Sequence, residues 1–341
     1  MSEFNSITTP LIFNASLMRG SESVFVVSAW DGECMLDVQA LQKHLADRNS
    51  IRVGTHNGGF HADEIVAIAM ISLVLDVEVE IVRSRDAATL ATCDIVVDVA
   101  EGTFDHHRSR CDNVSSAASR VLRFLHNTDE VRDAYPKFFW DSLADVVNNV
   151  ALQDNGGKMY SRLGYIAALS RASALGEDED ACFNQAFDMA RKDLSVMMQN
   201  WIAEAPAVEA AQKIVHDNPK ADVLVFGPEC RATDPKKWMW DEHHPALFYV
   251  SPSTVKCDTW DVLCCAVPQE KPEDEYDFFS SRYLLPTEWR GKDAAGLLAA
   301  AGLTGSVFCH KQGFMARFVS KDEAVAAAHK AISTLKGEEA V

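Results

Sequence analysis

The sequence lacks several features that would place it quickly in a common class. It has no apolar run of the roughly 18 residues that a membrane-spanning helix needs, so we expect no membrane partner. Its nine cysteines include no C-x-x-C pair, which argues against a zinc finger. An odd number of cysteines without a secretory signal is typical of reduced thiols, so we expect a cytoplasmic protein.

Basic residues are also scarce. Lysine and arginine together number 32 against 50 acidic residues, and the net charge is -18. Such a surface argues against broad electrostatic capture of duplex DNA. A short anionic substrate remains compatible with it, because bound divalent cations can reverse the local field.

The length and the residue pattern favour two domains. The chain has 341 residues, of which 48% are hydrophobic and 24% charged, as in ordinary globular proteins. We expect an N-terminal extension of unknown role at 1–50, a larger domain at 51–217 and a smaller mixed domain at 218–341. Within the extension, 24–28 has a strand pattern and 37–48 a helix pattern.

Strands separated by helices predict an α/β fold with a parallel sheet in the larger domain. The strand patterns there cover 51–55, 77–82 and 94–99, and the helix patterns cover 63–75, 115–125, 136–152, 179–200 and 206–216. Ligands of such sheets collect at the carboxyl ends of the strands, which is where His56 and Asp98 fall. In the smaller domain, strand patterns cover 222–226, 246–250, 260–267 and 306–309, and helix patterns cover 293–301 and 320–335.

Histidine and aspartate residues gather between positions 56 and 107 in an order that predicts a metal site. Imidazoles with carboxylates suit Mn, Fe, Zn or similar ions, whereas an all-oxygen set suggests Mg or Ca. Two metals that share a carboxylate activate water and neutralise phosphoryl oxygens, so a phosphoester is the natural substrate. Asp98 is the best candidate for the bridge. The candidate residues are His56, His61, Asp63, Asp98, Asp105, His106, His107 and, at the end of a predicted helix, Asp154.

Eight motifs, found in order over about residues 51–335, resemble the MYG1 family (UPF0160), a branch of the DHH phosphoesterases. They are Thr55-His-Asn-Gly-Gly-Phe-His-Ala-Asp-Glu64, Val82-Arg-Ser-Arg-Asp86, Cys93-Asp-Ile-Val-Val-Asp-Val99, Phe104-Asp-His-His107, Ser115-Ser-Ala-Ala118, Gln153-Asp-Asn-Gly156, Pro286-Thr-Glu-Trp-Arg-Gly291 and Val307-Phe-Cys-His-Lys-Gln-Gly-Phe314.

The resemblance implies a parallel-sheet DHH-type catalytic domain followed by a smaller mixed α/β domain that binds substrate. It also implies a centre of two divalent metal ions, most often Mn, with Mg, Co and Zn as alternatives. Members of the MYG1 family are associated with 3'-to-5' exonuclease activity on RNA. The expected substrate is therefore a short single-stranded RNA or oligonucleotide.

By motif position, the resemblance assigns metal-binding roles. His56 and His61 bind one metal, Asp63 the other, and Asp98 bridges the two. His106 and Asp154 complete the second site. The expected catalytic residues are Asp98, Asp105 and His107. His107 is expected to face the phosphate, and Asp105 is expected to orient His106.

The residues expected to contact substrate are Asn57, Arg83, Arg85, His310 and Gly313. Guanidinium groups match phosphate oxygens. Salt bridges with Asp86 or Glu80 are the alternative role of Arg83 and Arg85. Gly313 would allow close backbone approach.

The sequence departs from the wider superfamily in its first motif. The wider superfamily usually has an aspartate at the position of His61, whereas MYG1 members have a histidine there. The histidine favours metal ions that prefer nitrogen ligands. The interval from Asp98 to Asp105 is shorter than usual, and Phe314 to Arg317 replace the glycines that commonly follow Gly313. Three functions stay open: an RNA or oligonucleotide phosphodiesterase, a phosphohydrolase of nucleotides, dinucleotides or pyrophosphate, and a metal-binding module without turnover.

Overall fold

The computed structural model describes residues 50–100, 104–107, 115–157, 161–231, 235–255, 258–267 and 280–338. The strand and helix expected at 24–28 and 37–48 lie outside these ranges. The described residues fall into two compact units, one ending at Ile202 and the other beginning at Ala203. The domain boundary expected at 217/218 therefore stays a prediction.

The first unit contains a three-stranded sheet, which confirms the expected parallel arrangement. Strand β1 (Ser50–Thr55) lies in the centre, between β2 (Glu78–Arg83) and β3 (Ile95–Val96), and both neighbours run parallel to it. The last strand is shorter than the expected 94–99. Beyond it, Val97 forms only an isolated parallel bridge, and the backbone then turns away.

Helix α1 (Ala62–Val74) connects β1 to β2 and is buried along almost its whole length. Its sequence is apolar on every side, which is typical of a helix enclosed by its own domain. The acidic residues of its first turn, Asp63 and Glu64, are consequently buried too, each with no exposed surface.

The other helices of the first unit begin largely where the sequence predicts. Helix α3 starts after Ser116, whose hydroxyl accepts a hydrogen bond from the Ser119 backbone N–H at 3.2 Å. Pro136 immediately precedes α5. The bounds are α2 (Ala87–Leu90), α3 (Ala117–Asn127), α4 (Asp129–Asp133), α5 (Lys137–Asp154), a 3-10 turn (Ser161–Leu163), α6 (Gly164–Ala174) and α7 (Glu179–Asp217).

Helix α7 corrects the prediction of two helices, at 179–200 and 206–216. It continues through Pro206, which lies inside it. A proline removes one hydrogen bond from a helix, but apolar residues on both sides of it keep a helical spacing. Met198 and Ala205 before the proline and Val208 after it are all buried, so apolar packing on both sides of Pro206 outweighs the missing bond.

The second unit contains a mixed five-stranded sheet in the order β4-β5-β6-β8-β7. Only β4 and β5 are parallel among these pairs. Strand β8, which follows the turn at Gly313, was not predicted, because its sequence Met-Ala-Arg-Phe contains no β-branched residue. The bounds are β4 (Val223–Val225), a 3-10 turn (Pro228–Cys230), α8 (Pro235–Asp241), β5 (Phe248–Pro252), β6 (Trp260–Cys264), a 3-10 turn (Thr287–Trp289), α9 (Ala294–Ala301), β7 (Ser306–Cys309), β8 (Met315–Phe318) and α10 (Lys321–Glu338).

Both sheets carry helices, so the expected α/β class is confirmed. Within the part of the chain that the structure describes, none of the helices is both long enough and apolar enough to cross a membrane.

A buried ion pair joins neighbouring strands of the second sheet. Arg317 on β8 lies directly opposite Asp261 on β6. Its Nε and Nη2 donate to Asp261 Oδ1 and Oδ2 at 2.6 and 2.8 Å, and both side chains are only 9% exposed. The two parallel hydrogen bonds leave neither charge unpaired in the interior.

We predict that Asp261→Ala and Arg317→Met each lower the free energy of unfolding by about 3–5 kcal/mol, because each leaves a buried charge without its partner. Urea denaturation of the full chain measures this. The double variant Asp261→Leu/Arg317→Met should recover most of the loss. Lys336→Met is the matched control, because its ion pair with Asp222 is exposed. Single losses below about 1 kcal/mol would contradict a stabilising role for the pair.

Candidate metal centre

The carboxylate of Asp98 lies between two imidazoles. His56 follows the carboxyl end of β1, and Asp98 lies just beyond β3, so the parallel sheet brings them to one edge. His56 Nε2 is 3.4 Å from Asp98 Oδ2, and His106 Nε2 is 3.3 Å from Asp98 Oδ1. The two oxygens of one carboxylate thus face two different groups of side chains.

The backbone at Asp98 adopts a left-handed conformation, with φ of +57°. Residues other than glycine rarely take this conformation, although aspartate and asparagine tolerate it better than most. The Asp98 N–H donates to the Phe104 carbonyl at 3.3 Å, and Phe104 itself is buried. This packing holds the turn that aims the Asp98 carboxylate at the histidines.

The first group of side chains consists of His56, His61 and Glu64. Each offers one ligand atom, and these atoms all lie within 4.8 Å of one another. His56 Nε2 is 3.3 Å from Glu64 Oε1, while His56 Nδ1 lies 3.3 Å from the carbonyl oxygen of Asn57. A hydrogen bond from Nδ1 to that carbonyl leaves Nε2 free to bind a metal.

The second group surrounds His106. Its Nε2 lies 3.6 Å from Asp63 Oδ2 and 3.3 Å from Asp154 Oδ2, besides its approach to Asp98. Asp63 Oδ2 also accepts a hydrogen bond from the Ala117 backbone N–H at 3.2 Å. Asp154 is the last residue of α5. All the residues expected to bind metal, from three separate stretches of chain, therefore meet at one place.

The donor atoms fit divalent cations. Two ligands of one metal, each about 2.1 Å from it, lie roughly 3 to 3.5 Å apart, close to the spacings found around His56 and His106. Among the described residues, Asp63 Oδ1, Glu64 Oε2 and Asp98 Oδ1 are buried carboxylate oxygens without a hydrogen-bond partner. Buried anionic oxygens are costly unless they are paired or coordinate a cation. These acidic and histidine side chains thus cluster in a way that could bind metal.

The crowding of carboxylates shifts several pKa values in the metal-free protein. Burial raises the pKa of Glu64 to about 8, and burial together with the charge of Asp63 raises the pKa of Asp154 to about 6. Burial alone would lower the pKa of His56, but Asp98 and Glu64 outweigh it and raise that pKa to about 10. Excess negative charge at the site therefore retains protons when no cation is bound.

Asp105 contacts His107. Asp105 Oδ1 accepts a hydrogen bond from the His107 backbone N–H at 3.0 Å and lies 2.8 Å from its Nδ1. His107 Nδ1 is also 3.4 Å from Asp98 Oδ1, and the His107 side chain is 61% exposed. We expected Asp105 to orient His106, whereas these contacts place its carboxylate against the neighbouring imidazole.

The residues expected to bind substrate lie in different surroundings. Asn57 and Arg85 are exposed. The Arg83 guanidinium instead pairs with Glu179 and Asp180, at 2.8 and 3.1 Å. His310 and Gly313 lie in the second unit.

The two acidic residues that were the alternative partners of Arg83 and Arg85 contact other residues. Glu80 pairs with Arg52, and Asp86 accepts a hydrogen bond from the Thr89 backbone N–H. In the second unit, the Arg290 side chain packs on Gly313, where an added Cβ would lie 2.7 Å from Arg290 Nε. The Arg290 side chain therefore fills the space that a side chain at position 313 would occupy.

Sequence reasoning missed Glu64 as a candidate ligand. Acidic residues commonly stabilise the N-terminus of a helix, and Glu64 Oε1 also accepts a hydrogen bond from the His61 N–H at 2.8 Å. The available signal was the apolar sequence of α1 on every side. A helix without a polar face has to bury its first-turn acids, and a buried glutamate needs a cation or a proton.

Comparison with known proteins identifies one family. The sequence model of an uncharacterised protein family (UPF0160), called MYG1_exonuc, matches residues 52–122 and 140–332. The chain is 28% identical to the MYG1 exonuclease of Homo sapiens over 338 residues, which covers 83% of this chain and 86% of that protein.

Two further relatives show the same extent of similarity. The MYG1 exonuclease of Rattus norvegicus is 29% identical over 314 residues, covering 77% of this chain and 80% of its own length. The MYG1 protein of Chlamydia muridarum is 28% identical over 288 residues, covering 79% and 92%. No solved structure matches this chain.

We predict that Mn²⁺ binding releases protons and strengthens as the pH rises from 6 to 8. Raised pKa values mean that Glu64 and His56 hold protons at neutral pH, and ligands must lose them to bind metal. Each proton released makes the affinity rise by about tenfold per pH unit. Calorimetry in buffers of different ionisation enthalpy counts the protons. An affinity that does not change over this range would contradict the cluster as the binding site.

We also predict that Glu64→Gln weakens Mn²⁺ binding at least about tenfold without lowering the melting temperature of the metal-free protein. Glutamine keeps an acceptor for the His61 N–H but cannot become the carboxylate that would bind the metal. Titration calorimetry and thermal denaturation provide the two measurements. Glu130→Gln, an exposed residue of α4, is the control. A purely structural carboxylate would give the reverse result, with lower stability and unchanged affinity.

Proposed function

This chain belongs to the MYG1 family (UPF0160), and from that membership and the geometry at Asp98 we propose that it is a metal-dependent phosphodiesterase with a DHH-type catalytic domain. Its proposed activity is the removal of nucleotides from the 3' end of RNA or short oligonucleotides. The observation that carries the proposal is the Asp98 carboxylate, whose two oxygens face His56 and His106 at 3.4 and 3.3 Å. A carboxylate placed in this way could bridge the two ions of a two-metal centre.

Seven side chains would hold two divalent metal ions, with Mn²⁺ preferred and Mg²⁺, Co²⁺ or Zn²⁺ as alternatives. When bound, such a pair supplies an activated water and neutralises charge on the phosphoryl oxygens. The imidazole content favours Mn²⁺ over the all-oxygen preference of Mg²⁺. The first ion would be held by His56, His61 and Glu64, the second by Asp63, His106 and Asp154, and both by Asp98.

His107 is proposed to handle the proton of the leaving oxygen. Its imidazole lies beside Asp98 and is largely exposed, so a substrate can reach it. A hydrogen bond from Nδ1 to Asp105 Oδ1, at 2.8 Å, fixes the ring and leaves Nε2 as the outward nitrogen. The His107 imidazolium would then donate its Nε2 proton as the phosphorus–oxygen bond breaks, while Asp105 stabilises its positive charge.

The proposed substrate contacts divide between the units. Asn57 is an exposed neighbour of His56, and Arg85 follows β2 at the same edge of the sheet, where its exposed guanidinium suits phosphate. His310 and Gly313 remain the proposed contacts of the second unit. The net charge of -18 favours a short single strand over a duplex.

We predict that the full chain with Mn²⁺ shortens RNA of about two to twenty-four nucleotides stepwise from the 3' end. Substrates labelled at the 5' end should give a ladder of products, whereas substrates labelled at the 3' end should release a mononucleotide at once. Asp98→Asn should reduce the rate to background. Asparagine suits this test because it tolerates the left-handed backbone of position 98 and removes only the charge.

Asp141→Asn is the control, since that aspartate lies on the exposed face of α5 and should keep the wild-type rate. Cleavage of dinucleotides or pyrophosphate alone would favour the small-molecule phosphohydrolase. Bound metal without turnover of any of these substrates would favour a non-catalytic module. A purified protein that binds no metal and stays inactive with Mn²⁺, Co²⁺, Zn²⁺ and Mg²⁺ would overturn the proposal.

A further inference from the structure

Two charged side chains form hydrogen bonds with the backbone at the centre of the turn of residues 56–61, which carries His56 and His61. The Gly58 N–H donates to Glu179 Oε1 at 2.6 Å, and the Gly58 carbonyl accepts from Arg83 Nη2 at 2.7 Å. Arg83 Nη1 is in turn 2.8 Å from the same Glu179 oxygen. Arginine, glutamate and the Gly58 backbone thus form a closed ring of contacts.

Two aromatic side chains pack against the Arg83 guanidinium and restrict its position. Arg83 Cζ lies 4.5 Å from the centre of the Phe183 ring and 5.7 Å from that of Phe60. The two rings pack edge to face at 5.3 Å, and the Arg83 side chain is only 4% exposed. A planar guanidinium that stacks and donates in two directions cannot be replaced by the point charge of lysine.

The turn needs such support because its own sequence provides little. Gly58 has φ of +96°, a conformation that glycine adopts without steric strain but does not enforce, and its neighbours Asn57 and Gly59 are exposed. Other contacts hold only the end of the turn: the Phe60 N–H donates to Ser170 Oγ at 3.1 Å, and the His61 N–H donates to Glu64 Oε1 at 2.8 Å. Fixing both backbone polar groups of Gly58 restricts the directions of the imidazoles on either side.

We propose that Arg83, together with Glu179, is a positioning residue that holds residues 56–61 in the conformation that binds metal. This inference rests on the metal centre of the proposed function. It gives Arg83 a different role from the phosphate contact expected from the sequence. A phosphate contact would require the guanidinium to leave two carboxylates, which already balance its charge.

The test compares metal binding by the full chain, stripped with a chelator, and by its variants Arg83→Met, Arg83→Lys and Glu179→Ala. Arg83→Met should raise the Kd for Mn²⁺ at least about tenfold, as loss of a supporting contact commonly does. Arg83→Lys should recover only part of this, because lysine lacks the fork. The Co²⁺ absorption spectrum of the variants should also change, since it reports ligand geometry. Arg162→Met is the control, as it removes a more exposed arginine–aspartate ion pair, with Asp193, in the same unit.

Thermal denaturation of the metal-free proteins separates positioning from general stabilisation. Weaker Mn²⁺ binding by a variant whose melting temperature stays near that of Arg162→Met supports the inference. A lower melting temperature with an unchanged Kd overturns it. Should Arg83→Met fail to fold, Glu179→Ala decides in the same way, because the Glu179 side chain is 40% exposed and Asp180 remains to pair with Arg83.

Two further outcomes distinguish the hypotheses. If the wild type binds Mn²⁺ and Arg83→Met binds it equally well but has a higher KM for RNA, Arg83 contacts phosphate and the positioning role is overturned alone. If the wild type binds no metal, the positioning role and the proposed function fail together.

Discussion

The site depends on one carboxylate that two imidazoles share inside a buried, negatively charged cluster. Asp98 occupies that place because a parallel strand ends immediately before it and the backbone then turns left-handed. Asp63 and Glu64 add further charge, since α1 has no polar face to turn toward solvent. So many buried oxygens are stable together only with protons or cations among them, and this constraint determines the character of the whole centre.

The supporting residues around this cluster form a second level of organisation. Ala117, at the start of α3, donates to Asp63, Asp105 contacts His107, and Arg83 with Glu179 holds the backbone between His56 and His61. Each of these contacts restricts a ligand or its neighbour without reaching the shared carboxylate itself. Centres of this kind depend on such partners for ligand direction as much as on the ligands.

The sequence predicted the features that follow from local patterns. The carboxyl ends of parallel strands gather ligands, so His56 and Asp98 could be expected to meet, and Ser116 marked the start of α3. Features that depend on contacts between distant segments could not be predicted. Arg83 and Glu179 are 96 positions apart, so their pairing cannot be predicted from local sequence. The continuity of α7 through Pro206 likewise depends on buried residues around the proline.

The left-handed backbone at Asp98 also limits which amino acids can replace it during evolution. Position 98 needs a residue that tolerates positive φ and also carries a negative charge, and aspartate alone meets both demands well. Asparagine or glycine would satisfy the backbone while discarding the charge. Variants with asparagine or glycine at position 98 would therefore keep the fold while losing the negative charge on which the proposed metal centre depends.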